Sequence, residues 1–394
     1  MNPEYSPAIL DESAPVKYSI SVISDPEDLN RWKEEWDQLV LRDQHSTIFQ
    51  SWAWNYLHGV NQSHNRSLLK ILQIFSAGGE LIGIVPLQLL QQKIAGIFSI
   101  QRLEFIGTGD SDYLGIIVKP GEEAVVLRIL LQWLFDTRTT WDVVNFQSLS
   151  EDSFLVKNVE MWNKKFPWHY SLMPEEVCPY IELSGIWSCP LDGLPNSLTK
   201  YIKRKQRRIY RDKEVHVRTI QCADDLQRHL EKFFVLHRKR MKEKSLPGFF
   251  QTENQNKMFI EISHELLKRG WLRFLIIEID GEVAGGIYAF AFKDKCYFYQ
   301  SGLDPRFKSY SLGYLLHYYL IEEVWKEGCK EYDFLRGDEM FKKQWTETAH
   351  HLFCLRIFSD PFKEFIYRTH DRLNRWLMET MLFNKIYMKA KKMD

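Results

Sequence analysis

The chain has 394 residues, 45% of them hydrophobic and 14% aromatic, and its 52 basic and 52 acidic residues give a formal net charge of zero. That length accommodates two domains, and that apolar content excludes global disorder. The neutral total implies neither a basic nor an acidic partner, so charged partners must be read from local clusters.

The first residues, MNPEYSPAILDESAPVK, lack the basic and apolar regions of a signal peptide. YSISVIS (18–24) reads as a strand and LNRWKEEWDQLVL (29–41) as an amphipathic helix with Trp32, Trp36, Leu39 and Val40 on one face. A short helix follows at 49–59. LLKILQIF and LIGIVPLQLL are then two strands joined by the turn SAGGE. The second of these holds the longest apolar run, which contains Pro and Gln and is too short to span a bilayer. DYLGIIV (112–118) reads as a strand, 122–136 as a helix and WDVVNF (141–146) as a strand.

The same order returns at 271–336, about 200 residues later. LRFLIIEI and VAGGIYAFAF form a hairpin around DGE, followed by the strand CYFYQSG, a helix ending near Gly328, and the strand EYDFLRG. This is an internal duplication. Each strand–helix–strand step is a crossover, so the two strands it joins are expected to be parallel. Between the copies lie a basic helix (about 196–213), the strand VHVRTI and two helices reaching Arg269. The expected fold is mixed α/β: two sheets, each covered by helices.

Six dispersed cysteines, Cys178, Cys189, Cys222, Cys296, Cys329 and Cys354, form no CxxC, and no His/Cys group has zinc spacing. A reducing, cytoplasmic setting and no metal are expected.

In the second copy, Ser309, Ser311 and Gly313 crowd the start of the helix that begins near Tyr314. Free amides and a partial positive charge at a helix start suit an anion, and small residues let it approach. No Walker lysine is present, which suits a phosphate that is bound but not transferred. The plainer reading makes Ser311 a cap and Gly313 a packing residue. Asp338, Glu339 and Lys342 follow EYDFLRG at the sheet end where ligands collect. Tyr297 and Tyr299 alternate with Phe298 and so share one face. A carboxylate such as Glu339, with Asp338 next in line, can take a proton from an attacking amine, and Lys342 or Tyr299 can protonate a leaving group. The plainer reading is a surface ion pair and two core tyrosines.

The stretches DGEVAGGIYAF (280–290), YFYQSGLDPRFKSYSLGYLL (297–316) and EYDFLRGDEMFKKQW (331–345) resemble the GNAT superfamily of acyl-CoA-dependent N-acyltransferases. The resemblance is nearer to the CelD-like acyltransferases of cellulose and exopolysaccharide loci and to their FemAB relatives. KRKQRRI (203–209), FFVLHRKRMKEKSLPGFF (233–250), IFQSWAW (48–54) and DYLGIIVKPGEE (112–123) are similar to that group as well. The order of these motifs, over residues 18–358, carries the resemblance. It implies two tandem GNAT-like domains, at 16–175 (acceptor side) and 176–360 (acyl-CoA side), after a loose tail at 1–15 and before an amphipathic basic helical segment at 361–394. It also implies that pantetheine lies between the diverging strands CYFYQSG and EYDFLRG. The pyrophosphate would then meet Ser309 and the amides of Ser311, Leu312, Gly313 and Tyr314. Leu312 stands where the family often has proline, and the GNAT signature Q/R-x-x-G-x-G/A is absent as such. Lys342, in Phe341-Lys342, falls on the family's aromatic–Lys pattern.

The implied activity is acyl transfer from acetyl-CoA or another acyl-CoA to an amine of a small or sugar-linked acceptor, in polysaccharide or cell-envelope biosynthesis. FemAB-type aminoacyl transfer from charged tRNA to a cell-wall precursor, or a catalytically inactive GNAT-shaped binding protein, are the alternatives. Eight Lys or Arg between Lys200 and Lys213 make the basic helix a solvated face, a grip for a nucleotide-linked substrate through Arg204, Arg207 and Arg208, or a tRNA surface; DNA is not expected. His237 is read as structural, with catalysis or acceptor binding as the alternatives, and Trp54 as core or acceptor wall. Asp112, with Asp110, is read as an acceptor ligand or a turn residue. The C-terminal segment is expected to dock on the second domain, with peripheral membrane contact as the alternative.

Overall fold

The computed structural model describes residues 18–63, 67–94, 98–166, 168–183, 187–246 and 248–373. The expected tail at 1–15 and residues 374–394 of the C-terminal segment lie outside them. The first half runs β1 (Ser19–Ile23), a 3-10 turn, α1 (Lys33–Arg42), α2 (Trp52–Ser63), β2 (Ser67–Phe75), β3 (Leu81–Ile94), β4 (Phe98–Phe105), β5 (Ile117–Val118), α3 (Glu123–Asp136), β6 (Val143–Ser150), α4 (Phe154–Lys157), α5 (Val159–Lys165) and β7 (His169–Glu182). The second runs α6 (Asn196–Asp212), β8 (Val215–Thr219), α7 (Ala223–Lys244), α8 (Glu253–Lys268), β9 (Leu272–Ile279), β10 (Glu282–Phe292), β11 (Lys295–Leu303), a 3-10 turn, α9 (Leu312–Lys326), β12 (Glu331–Asp333), α10 (Met340–Lys343) and β13 (Ala349–Phe358).

All strands join one sheet in the order β1-β2-β3-β4-β6-β13-β7-β12-β11-β10-β9-β8, with β5 on the flank of β3. Each half contributes a four-stranded antiparallel meander and a parallel fifth strand, β4 with β6 and β11 with β12. The duplication and its parallel steps are therefore present as read. Two strands cross over. β7, which follows the first half, pairs through Tyr180–Glu182 with β12 of the second. β13, which follows the second half, pairs with β6 of the first. The halves are stitched together by this exchange.

Strand alternation divides the second half between two cores. Tyr288, Phe290, Tyr297 and Tyr299 face α7, α8 and the first half's Phe49 and Trp54, in a core common to both halves. Ile287, Ala289, Cys296 and Phe298 face α6 and α9. Trp36, Trp52 and Trp54 are buried in the shared core.

Three expectations change. Residues 112–118 are mostly loop, with only Ile117–Val118 paired. The strand equivalent to CYFYQSG is β4, whose polar FSIQRLEF pattern hides it. β7 and β13 carry Pro, His and charged residues that mask their alternation. The segment after β13 begins as a helix at 361, and its described part, residues 361–373, packs on the first half. Tyr367 packs with Ile100, Val143 and Phe358, and Arg356 pairs with Asp371 at 2.8 Å. The reason is topological: β13 returns the chain to β6 of the first half before the helix starts.

Candidate active site

β11 and β12 pair over three residues, Lys295↔Glu331 to Tyr297↔Asp333, and then diverge. The divergence has local causes. The Asp333 carboxylate accepts the Leu335 amide at 2.6 Å, turning the chain at Leu335 (φ 57°). The amides of Phe334 and Gly337 then bond to the carbonyls of Pro179 and Val177 on β7, both at 2.9 Å. Residues 334–337 thus follow β7 away from β11. Burial pushes Asp333 up to about 7, against the stabilising bond from Tyr113 Oη at 2.5 Å.

Two cavities flank this gap. One, of about 500 Å³, lies against Leu303–Pro305, Ser311–Tyr314, His317 and Trp345. The other, of about 270 Å³, lies against Asp110 and Asp112 of the first half and His237, Tyr299, Arg336, Glu339 and Lys342 of the second. Arg240, Lys244 and Phe341 line both, so the cavities adjoin there.

At the larger cavity, Ser311 is left-handed (φ 59°) and opens α9 without a side-chain cap. Its hydroxyl instead meets Tyr201 Oη at 2.7 Å, and the Ser309 carbonyl accepts from Lys205 Nζ at 2.6 Å. Two of the four expected anion-binding amides are already engaged: Ser311 N donates to Lys308 O and Tyr314 N to Ser311 O. Those of Leu312 and Gly313 have no acceptor among the described residues. Tyr314 Oη is bonded to Gln344. Gly313 has ordinary helical φ, and a Cβ there would meet Leu303 Cδ1 at 3.4 Å.

The first half closes the equivalent places. At the start of α3, both carboxylate oxygens of Glu123 accept the Gly121 amide, at 3.1 and 3.0 Å, so a fixed anion already sits there. Between β4 and β6, Phe105 stacks on Phe146 at 4.4 Å.

Lys342 is 3% exposed; its ammonium donates to the carbonyls of Leu335 (3.0 Å), Arg336 (2.5 Å) and Gly337 (3.3 Å) and pairs with Glu339 at 2.9 Å. All its protons are spent holding the diverging segment. Glu339 stands at the mouth of the smaller cavity, 58% exposed. Asp338 points away to Lys343, 3.1 Å distant. Tyr299 is buried and donates to the Asp110 carbonyl at 2.9 Å, and burial raises its pKa well above that of a free phenol.

The first half supplies one wall. Asp112 is buried and pairs with Arg336 Nε at 2.8 Å; Arg336 Nη2 also bonds to the Gly109 carbonyl at 2.6 Å. Burial pushes both Asp110 and Asp112 up, against the pull of Arg336. Trp54 does not reach the cavity. It is fully buried and braces the 107–111 turn through Ser111 Oγ at 2.8 Å. His237 does line the cavity, and its Nδ1 lies 3.0 Å from the Ser301 carbonyl. Arg204, Arg207 and Arg208 are exposed on α6, which packs on α9 and its preceding turn. Arg204 lies over Tyr201 and Arg208 over Tyr310.

Sequence reasoning passed over Arg240 and Lys244, which stand one helical turn apart on α7 where the cavities meet. The signal was the i, i+4 spacing within HRKRMKEK. It also passed over Tyr113 and Arg336, whose partners lie about 220 residues away in sequence. Among the described residues, Glu331, Asp333 and His350 bring ligand-capable atoms within 4.8 Å of one another. Glu331 is already bound by Lys295 (3.0 Å) and His350 (3.1 Å), and Asp333 by Tyr113 and the Leu335 amide, so a cation would have to displace Lys295.

The stretch from α6 through α10, residues 196–343, matches the family described as "Acetyltransferase (GNAT) domain". Residues 196–343 are a GNAT domain. Both the gap between β11 and β12 and the uncapped start of α9 fall inside it. No curated protein matches the chain. Among solved structures, FemX is similar at a TM-score of 0.61 and 11% identity, covering 88% of this chain and 99% of that one. The C-terminal domain of a putative lysylphosphatidylglycerol synthetase from Agrobacterium fabrum follows at 0.53 and 9% identity, covering 88% and 96%. L-PGS from Bacillus licheniformis scores 0.52 at 11% identity, covering 88% and 96%. At these identities the likeness concerns the fold: the GNAT domain sits in a two-part chain built as these proteins are.

Proposed function

We propose that this chain is an acyltransferase of the CelD-like kind. It carries an acyl group from acetyl-CoA or another acyl-CoA to an amine on a small or sugar-linked acceptor, in polysaccharide or envelope biosynthesis. The observation that carries this reading is the meeting of two cavities at one strand gap. The larger has unengaged amides and the dipole of α9 for a pyrophosphate. The smaller has carboxylates of the first half for an amine. The thioester carbonyl would lie between them, where a neutral amine attacks it and a thiolate leaves. In this arrangement Lys342 positions the diverging segment, and Glu339 offers an exit for the proton to water. The free cysteines among the described residues fit a reducing cytoplasm.

A second reading is favoured by one feature. Exposed Arg204, Arg207 and Arg208 beside the donor loop support the aminoacyl-tRNA donor that the FemAB resemblance implies. The test is parallel incubation of the purified chain with labelled acetyl-CoA and with charged tRNA, each with amino sugars and amino-acid amines as acceptors. Transfer from acetyl-CoA, unchanged in Arg204→Ala/Arg207→Ala/Arg208→Ala, supports the first reading. Transfer from tRNA that the triple variant abolishes in a salt-dependent way supports the second. Binding without transfer would leave the inactive, binding-protein alternative.

A further inference from the structure

His237 sits in the middle of α7, above β11. The two elements approach closely because residue 302 is glycine: a Cβ there would lie 2.9 Å from the Phe233 carbonyl and 3.0 Å from the His237 amide. That approach puts His237 Nδ1 3.0 Å from the carbonyl of Ser301. A carbonyl only accepts, so Nδ1 carries the hydrogen and Nε2 of the neutral ring keeps a bare lone pair. The side chain is fully buried, and Nε2 has no hydrogen-bond partner among the described residues. A buried acceptor without a partner is costly and calls for an occupant. The residue is among those that line the smaller cavity, as are Asp110 and Tyr299.

We infer that Nε2 of His237 takes the proton from the acceptor's amine during acyl transfer; the inference rests on the acyltransferase reading above. The amine nitrogen attacks the thioester carbonyl carbon and a C–N bond forms. The nitrogen's proton passes to Nε2, the C–S bond breaks, and the electron pair leaves on sulfur. The imidazolium then returns its proton to the thiolate or to water, so thioester and amine give amide and thiol. Burial, with Arg238, Arg240 and Lys244 nearby, holds the ring's pKa down to about 4, against the Ser301 bond. The lone pair is therefore free at neutral pH. A weak base suffices, because the amine proton becomes strongly acidic once nitrogen has bonded to the carbonyl carbon. The same surroundings eject the proton afterwards. Arg240, whose guanidinium bonds Ser301 Oγ, fixes the strand that orients the ring.

The test uses hydroxylamine as a small nucleophile and acetyl-CoA as donor, with acetohydroxamate measured for the full chain, His237→Ala and His237→Gln. CoA affinity is measured by calorimetry and folding by circular dichroism. The expected result is catalysis by the parent and roughly 100-fold loss in both variants. CoA affinity should be kept, and added imidazole should restore turnover in His237→Ala alone. Undiminished turnover in a folded variant overturns the inference while leaving the acyltransferase reading standing. A parent that binds CoA yet does not exceed the uncatalysed rate also overturns the inference alone. A parent that binds no CoA removes both. Should the variants fail to fold, nitrogen NMR of the parent's ring decides. The Nδ1–H tautomer at neutral pH is required, and the Nε2–H tautomer overturns the inference.

Discussion

Asp112 of the first half and Arg336 of the second meet at 2.8 Å across residues far apart in the chain. The pair closes the wall of the smaller cavity, so that cavity exists only while both halves are in register. Asp112 is almost wholly buried. Arg336→Ala strands its carboxylate without a cation, and the loss should be roughly 2–4 kcal/mol in urea unfolding. Asp112→Asn in the same chain removes the stranded charge and should recover part of that loss. If the double variant is as unstable as the sum of the singles, the two residues are not coupled.

Glu339→Gln addresses where the proton goes. Glu339 is exposed and shares its charge with Lys342. As an exit to water and not the first proton acceptor, it should cost less than about tenfold in turnover, with CoA affinity unchanged. A loss of about 100-fold or more would return the role of base to Glu339.

His58 is buried beside Trp54, with its Nδ1 4.0 Å from Asp110. That spacing counts as an ion pair only for a protonated ring, and burial depresses the His58 pKa to about 4, so the ring is neutral. The unfolded chain therefore binds a proton that the folded chain refuses as pH falls from about 6.5 to 4. Stability contributed by the neutral ring is full above about pH 6.5 and lost below it. Relative to His58→Gln, the parent should lose roughly 3 kcal/mol across that window and show a constant difference above it. Urea unfolding at a series of pH values measures this. A difference independent of pH between 4 and 6.5 would show the ring to be protonated or exposed.

The repeated order of strands and helices was legible because strongly apolar segments such as LRFLIIEI and VAGGIYAFAF declare their period, and DGE declares its turn. The strand exchange was not legible. β13 pairs with β6 about 200 residues away, and nothing local in AHHLFCLRIF names its partner. At the site, residue type and position single out Glu339, Lys342, Asp112 and His237 as candidates, and the structure brings them to one cavity. Their division of labour was not readable. Lys342 is spent on three carbonyls that no sequence spacing reveals, and Trp54 is separated from the cavity by the Ser111 turn it supports. Arg240 and Lys244 were hidden within the charged run HRKRMKEK.

In the proposed function an acyl donor's pyrophosphate rests on the amides of Leu312 and Gly313. Gly313→Glu would put a side chain and a negative charge where the anion must approach. The backbone there is ordinary helix, and a Cβ makes only van der Waals contact with Leu303, so folding should survive; Gly313→Ala serves as the control. The deciding measurement is calorimetric titration of CoA into the parent and both variants, with circular dichroism on each. Binding to the parent and to Gly313→Ala, with at least about tenfold weaker binding to a folded Gly313→Glu, is the predicted result. No CoA binding by the parent, or equal binding by the glutamate variant, would contradict it.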